Sequence, residues 1–159
     1  MDQKLTHLDG DGNVRMVDIG DKESSGRIAK AVCKIKMKSA TLKAITKGTV
    51  KKGDVFTTAK IAGILAAKRV DELIPLCHSI PINHVEVLFI PEPERGILTI
   101  HTEVSVTAKT GAEMEALQAA AQAALTVYDM CKAVDRGMVI CDLALTEKRG
   151  GKSGTWERK

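Results

Sequence analysis

Between Glu113 and Glu115 on one side and Asp129 and Lys132 on the other, the run from Ala116 to Tyr128 carries no charge at all. Its spacing predicts a helix that Gly111 opens and that continues to about Val134. At about 100° per residue, Glu115, Gln118, Gln122, Thr126 and Asp129 fall on one narrow stripe, and the rest of the span is apolar. Such a helix must be covered on most of its circumference. Alanine, with 18 copies in the chain, lets neighbouring elements approach closely. Taken alone, the stripe reads as the solvent side of a helix packed against a sheet. A second reading follows from length. Glu115 and Asp129 are about 21 Å apart along a straight helix, too far to share one small-molecule site. If both ends serve a single site, two copies of the helix lie antiparallel about a two-fold axis.

The partners for that helix are legible nearby. Cys33, Ile35 and Met37 alternate with Lys34, Lys36 and Lys38, which predicts a half-buried strand over Val32–Lys38 with the lysines outward. A short helical piece is expected over Thr41–Lys47, ended by Gly48. Asp54 offers an N-cap to a longer helix from Val55 to about Leu73, with Lys60, Lys68 and Glu72 polar and Pro75 as its stop. Two strands, about His84–Ile90 and Ile97–Thr107, are joined as a hairpin through Pro91, Pro93 and Gly96. Leu98, Ile100, Val104 and Val106 share one face of the second. A last strand, Met138–Glu147, is expected to turn Val139, Cys141, Leu143 and Leu145 inward. The order β-α-β-β-α-β suits an α+β ferredoxin-like sandwich, an antiparallel sheet with two long helices on one face. The expected organisation is an irregular N-terminal arm (1–26), one ferredoxin-like catalytic domain (27–149) and a basic, glycine-rich C-terminal tail (150–159).

Composition narrows the function classes. With 24 Lys plus Arg against 20 Asp plus Glu, the formal charge is +4, mildly favouring anionic partners. Phe56, Phe89, Tyr128 and Trp156 are the only aromatic residues, too few for base-stacking recognition of single strands. No charge-free run is long enough to span a membrane. Cys33, Cys77, Cys131 and Cys141 form no C-x-x-C pair and follow no signal peptide, so reduced thiols and a cytoplasmic location are expected. Several motifs fail. Gly150-Gly151-Lys152-Ser153 resembles the end of a phosphate loop, but Thr146 stands where the first glycine is required. Asp9, Asp11 and Asn13 imitate the start of a calcium loop, yet Val14 and Gly20 replace its glycine and its closing glutamate, leaving a turn. His7, His78, His84 and His101 show no helix-face metal pair, so no metal site is expected.

What survives is a set of groups suited to an anionic metabolite. Lys51 and Lys52 precede the N-terminus of the Asp54 helix, where free backbone amides also favour an anion. Leu73-Ile74-Pro75-Leu76-Cys77-His78 presents a histidine in an apolar loop. With two acids at one end of the long helix and an Asp129/Lys132 pair at the other, the chain could move protons on a phosphate-bearing substrate. A ferredoxin-like module that binds a small anion without chemistry, and a double-stranded nucleic-acid binder using Lys34, Lys36 and Lys38, are the competing classes.

At these residues the sequence resembles the cyclic pyranopterin monophosphate synthase family, the molybdenum cofactor biosynthesis protein C family. The resemblance is carried by Met16-Val17-Asp18, Lys52-Gly53-Asp54-Val55-Phe56, Ile61-Ala62-Gly63, Leu73 to His78, Lys109-Thr110-Gly111-Ala112-Glu113-Met114-Glu115-Ala116-Leu117, Tyr128 to Val134 and Gly150 to Gly154. It implies an enzyme that rearranges the cyclic 3′,8-dihydro derivative of GTP to cyclic pyranopterin monophosphate, releasing pyrophosphate. By the same resemblance, Asp129 is the catalytic acid, with Lys52 and Lys132 as catalytic lysines. Arg27, Leu76, Cys77, His78, Thr110, Glu113, Met114, Glu115, Lys148 and Lys152 line the substrate site or bind its phosphates. The implied assembly is a homo-hexamer, a trimer of dimers, with sites at the dimer interface. No cofactor is expected beyond a divalent ion that could accompany the triphosphate, and neither nucleic acid nor membrane is an expected partner. Two departures from the family pattern, Asn83-His84 and Arg149, are expected near the site.

Overall fold

The computed structural model describes residue 8, residues 10–152 and residues 154–159; residues 1–7 of the expected arm, with His7, and also Asp9 and Ser153, lie outside the described residues. Along the chain run β1 (Ser25–Lys36), α1 (Ser39–Thr46), α2 (Val55–Ala67), the single turn α3 (Val70–Leu73), β2 (Ile82–Glu92), a 3₁₀ turn at Pro93–Arg95, β3 (Ile97–Ala108), α4 (Glu113–Cys131), β4 (Val139–Arg149) and β5 (Trp156–Glu157). The sheet order is β2-β3-β1-β4-β5, every neighbour antiparallel. Its first four strands have the ferredoxin-like order, as expected.

Alternation decides which side of the sheet is covered. In β1, Ala29, Ala31, Cys33 and Ile35 are buried, as are Leu98, Ile100, Val104 and Val106 of β3. The two rows together form the floor on which α4 lies. Through its middle the buried side of the helix is alanine, Ala116, Ala119, Ala120, Ala123 and Ala124, with larger Val127, Met130 and Cys131 only toward its end, so the helix axis sits close to the sheet. The Thr102 hydroxyl crosses that gap and donates to the Ala116 carbonyl at 2.7 Å. On the other flank α2 approaches so closely that a Cβ on Gly63 would stand 2.9 Å from the Ala119 carbonyl oxygen and 3.4 Å from the Ala123 methyl.

The turns are built by named caps. Asp54 accepts from the Thr57 amide at 3.0 Å and from its hydroxyl, closing the first turn of α2. At α1 the cap comes from afar. Asp135, beyond the end of α4, accepts from the Lys38 amide at 2.8 Å and the Thr41 hydroxyl at 3.1 Å. These bonds satisfy a carboxylate that is 2% exposed and hold it below the usual carboxylate range, the Lys38 amide contributing most.

Three expectations are corrected. Strand β1 begins at Ser25, not Val32, so the irregular arm ends at Ser24. The long helix after Asp54 stops at Ala67; Arg69 leaves the helical region with φ −128° and ψ 22°, and α3 restarts with Val70 buried. The break turns Val70 into the core, and Pro75 holds Ile74 extended as a residue before proline must be. In β4 only Leu145 of the expected inward set packs on the core. Ile140 joins it, while Val139 and Leu143 are exposed and Cys141 is half-buried opposite Lys34. The cause is a break in register between Val32 and Lys34 with Asp142 at φ 54°, since each extra residue in a strand reverses the faces that follow.

Candidate active site

The C-terminal end of α4 carries Asp129, and the turn after it carries Lys132. The loop ahead of α2 brings Lys52 to the same place. Its ammonium donates to the Asp129 main-chain oxygen at 2.9 Å and lies 3.3 Å from Oδ2, while Lys132 Nζ lies 2.7 Å from Oδ1. One carboxylate thus bridges two ammonium groups at the surface. Lys132 first and Lys52 second hold the Asp129 carboxyl below its usual range, and the same carboxylate raises Lys132. Tyr128 and Arg136 complete the shallow depression around the lysines.

At the other end, the segment between β3 and α4 folds over a cavity of about 310 Å³ lined by Leu76, Cys77, His78, Thr110, Glu113, Met114 and Glu115, together with Val17, Ile19 and Lys22 of the arm. Gly111 leaves room there for the Glu113 carboxylate, which a Cβ at that position would displace. Glu113 faces Lys148 of β4 at 3.3 Å. Glu115 is different. It is 4% exposed, and burial pushes its carboxyl up to about 7, with Glu113 and Asp71 adding to the rise. Burial also raises the Cys77 thiol. His78 Nε2 lies 2.8 Å from the Val17 carbonyl oxygen. A carbonyl only accepts, so Nε2 carries the proton in this bond.

Arg27, at the start of β1, sits beside this cavity. It donates through Nε to the Ala108 carbonyl at 3.0 Å and through Nη2 to that of Lys109 at 3.2 Å. The tail glycines lie flat against it: a Cβ on Gly151 would strike the guanidinium, and one on Gly150 would strike the Gly26 carbonyl. That contact explains the paired glycines better than any phosphate loop. Lys152 and Arg27 line a second cavity on this side.

The site residues read from the sequence therefore fall into two groups. Lys52, Asp129 and Lys132 stand at one end of α4; Arg27, Leu76, Cys77, His78, Thr110, Glu113, Met114, Glu115, Lys148 and Lys152 stand at the other. Nothing in one chain brings them together, since the helix between them holds their ends about 21 Å apart. Of the departures, Arg149 adjoins the second group, since it follows Lys148 in β4 and pairs with Ile28, the neighbour of Arg27, while Asn83-His84 stands at the start of β2. Asn83 donates to the Thr107 hydroxyl, and His84 helps line a depression on the helix-free side of the sheet. Arg149 pairs with Glu147, opposite Ile28 on that same side. The sequence alone does not mark Asp71, which acts on Glu115 but reads as one more polar residue near the end of the expected Val55–Leu73 helix, nor Lys22, which stands in no periodic segment. Among the described residues, no three His, Cys, Asp or Glu side chains group as metal ligands, and no helix is long and apolar enough to cross a membrane.

A ferredoxin-like sheet whose covering helix ends in a lysine-bridged carboxylate at one pole and a buried carboxylate cavity at the other belongs to an enzyme of small metabolites. The MoaC family's sequence pattern matches residues 16–151. A relative from Pelotomaculum thermopropionicum is 52% identical over 98% of this chain and 91% of its own. One from Chloroflexus aggregans is 51% identical over 98% and 94%, and one from Thermoanaerobacter sp. 49% identical over 98% and 98%. All three bear the name cyclic pyranopterin monophosphate synthase. This chain belongs to the MoaC family.

Proposed function

We propose that this chain converts the cyclic 3′,8-dihydro derivative of GTP to cyclic pyranopterin monophosphate, with release of pyrophosphate, in molybdenum cofactor biosynthesis. The observation that carries the reading is the split of the polar groups between the two poles of α4. A purine-derived nucleotide presents both an amidine edge and a triphosphate, which the carboxylates of one pole and the cations of both poles suit. One complete site then requires two copies of the chain, α4 against α4 in opposite directions, so that Lys52, Asp129 and Lys132 of one copy face the Glu113–Glu115 cavity of the other. The outer face of the helical layer suits such a contact: Ile61, Leu65 and Leu73 are exposed on α2 and α3, and Leu125 of α4 is 52% exposed. Three such dimers form the hexamer of the reading.

In that site Glu113 and Glu115 receive the amidine edge through paired N–H donors. Arg27, Lys148 and Lys152 hold phosphate oxygens from one side, Lys52 and Lys132 from the other. A substrate hydroxyl attacks the α-phosphorus, its proton passing to the departing pyrophosphate, and the bond to the bridging oxygen breaks. The electron pair leaves with pyrophosphate, and the lysines stabilise the charge that gathers there. As its lysines turn to phosphate, the Asp129 carboxylate loses the interactions that hold its basicity down, so it becomes able to take and return the protons displaced while the purine-derived ring opens. The chemistry uses no resident cofactor; a divalent ion would come only as the companion of the triphosphate. We place the reaction in the cytoplasm, in keeping with four free cysteines. The test is incubation of the purified protein with the cyclic dihydro-GTP derivative. Pyrophosphate and the pterin product are expected in equal amounts; ligand that is bound and returned unchanged would make the protein a sensor instead.

A further inference from the structure

Lys22 lines both cavities at the Glu113 pole, the one that holds Glu113, Glu115 and His78 and the one that holds Arg27 and Lys152. Among the described residues no other is shared between them. The backbone that carries it is tied down on both sides of α4's N-terminus. Val17 is held through its carbonyl by His78 Nε2 at 2.8 Å, and Gly20 through its carbonyl by Lys109 Nζ at 2.6 Å. Between the two ties, the Gly20 amide donates to Asp18 Oδ1 at 2.7 Å. The Lys22 amide donates to the Ile19 carbonyl at 3.1 Å, closing a tight turn. Residues 17–22 thus form a strap across the mouth of the first cavity, with an exposed ammonium at its end. Among the described residues Lys22 makes no ion pair of 4.0 Å or less, while two of Arg27's donors are already spent on carbonyls. Asp21 and Glu23 edge the second cavity beside Arg27 and Lys152, and among the described residues Lys22 is the cation that faces both cavities.

We propose that Lys22 is a polyphosphate-binding residue, set by the strap at the junction of the two cavities so that the chain of phosphates leaves the carboxylate cavity beneath its ammonium. The inference rests on the reaction proposed above and adds a residue to it. The strap supplies the position, the two cavities supply the path, and the charge-assisted bond supplies affinity.

Titration calorimetry on the assembled protein, with inorganic tripolyphosphate as the probe, tests it. Lys22→Met is expected to weaken binding by about tenfold or more, as loss of one charged hydrogen bond does, and Lys22→Arg to retain it. Lys109→Met, which frees Gly20 but keeps Lys22, is expected to weaken binding as well. Equal affinity in wild type and Lys22→Met overturns the proposal, as does no binding by wild type, or a loss in Lys22→Arg as large as in Lys22→Met. An unchanged affinity in Lys109→Met overturns the strap's part. Turnover separates this from the reaction itself. Lys22→Met is expected to raise KM by about tenfold while kcat holds. A normal KM in that variant overturns the role of Lys22 alone, whereas a wild-type protein that releases no pyrophosphate overturns the proposed reaction and leaves calorimetry to decide Lys22.

Discussion

Asp129 and Glu115 are both carboxylates on one helix, and their surroundings drive them in opposite directions. Asp129 is exposed and bridged by two lysines, which keep it ionised; Glu115 is buried and short of cations, which brings it to about 7. Removing the first should cost chemistry and not structure. Asp129→Ala is expected to lose at least about a hundredfold in turnover while its thermal midpoint and assembly mass stay those of wild type. The second should show in the pH dependence of stability. Its folded-state pKa lies above the ordinary 4.5, so between those two values the folded chain holds a proton that the unfolded chain has lost. Stability therefore falls as pH rises through that window and levels off above about 7, because the buried charge is then fully present. Glu115→Gln lacks the titration, so thermal unfolding from pH 4 to pH 8 is expected to show the variant gaining on wild type across the window and holding the gain above it.

At the scale of elements, the contact between α2 and α4 sets the tolerance of the helical layer. A Cβ at Gly63 has nowhere to go, since the nearest atom is a main-chain oxygen of α4 rather than the tip of a flexible side chain. Gly63→Val is expected to cost about 1–3 kcal/mol, measured by denaturant unfolding, and to disturb both poles because α4 positions both. The sequence foretold the start and the packing of this layer, because alanine spacing and the Asp54 cap are local signals, but not the break at Arg69 that ends α2 early. It foretold β4 poorly: the alternation of Val139, Cys141, Leu143 and Leu145 is regular on paper, and the register break opposite Cys33 becomes visible only once β1 lies beside it. Strand β1 was read too short for a related reason. Arg27 on the inward row and Ile28 and Val32 on the outward one blur the alternation of its first half, yet Arg27 is held by the Ala108 and Lys109 carbonyls, which no single segment reveals.

For the whole molecule, the question is whether one site is built by two chains. Helix arithmetic alone already separated Glu115 from Asp129, and the folded chain keeps them apart, so this part of the site was legible before any coordinates. The strap was not, since its ties join residues 61 and 89 positions apart and its own sequence has no period. A shared site makes a measurable demand. Lys52→Ala and Glu113→Gln are each expected to be inactive; mixed and allowed to exchange subunits, they should regain about a quarter of wild-type activity, because half the pairs are mixed and each mixed pair has one intact site of two. No recovery would place each site within a single chain. The strap carries one more implication, for how the sequence may drift. Both of its ties, from His78 and from Lys109, end on main-chain oxygens, so the grip reads the path of the arm and not its side chains. A saturation screen should therefore find positions 17 and 20 permissive to small replacements, and positions 78 and 109 intolerant. At the two gripped positions the vocabulary is free, while the two residues that hold them are not.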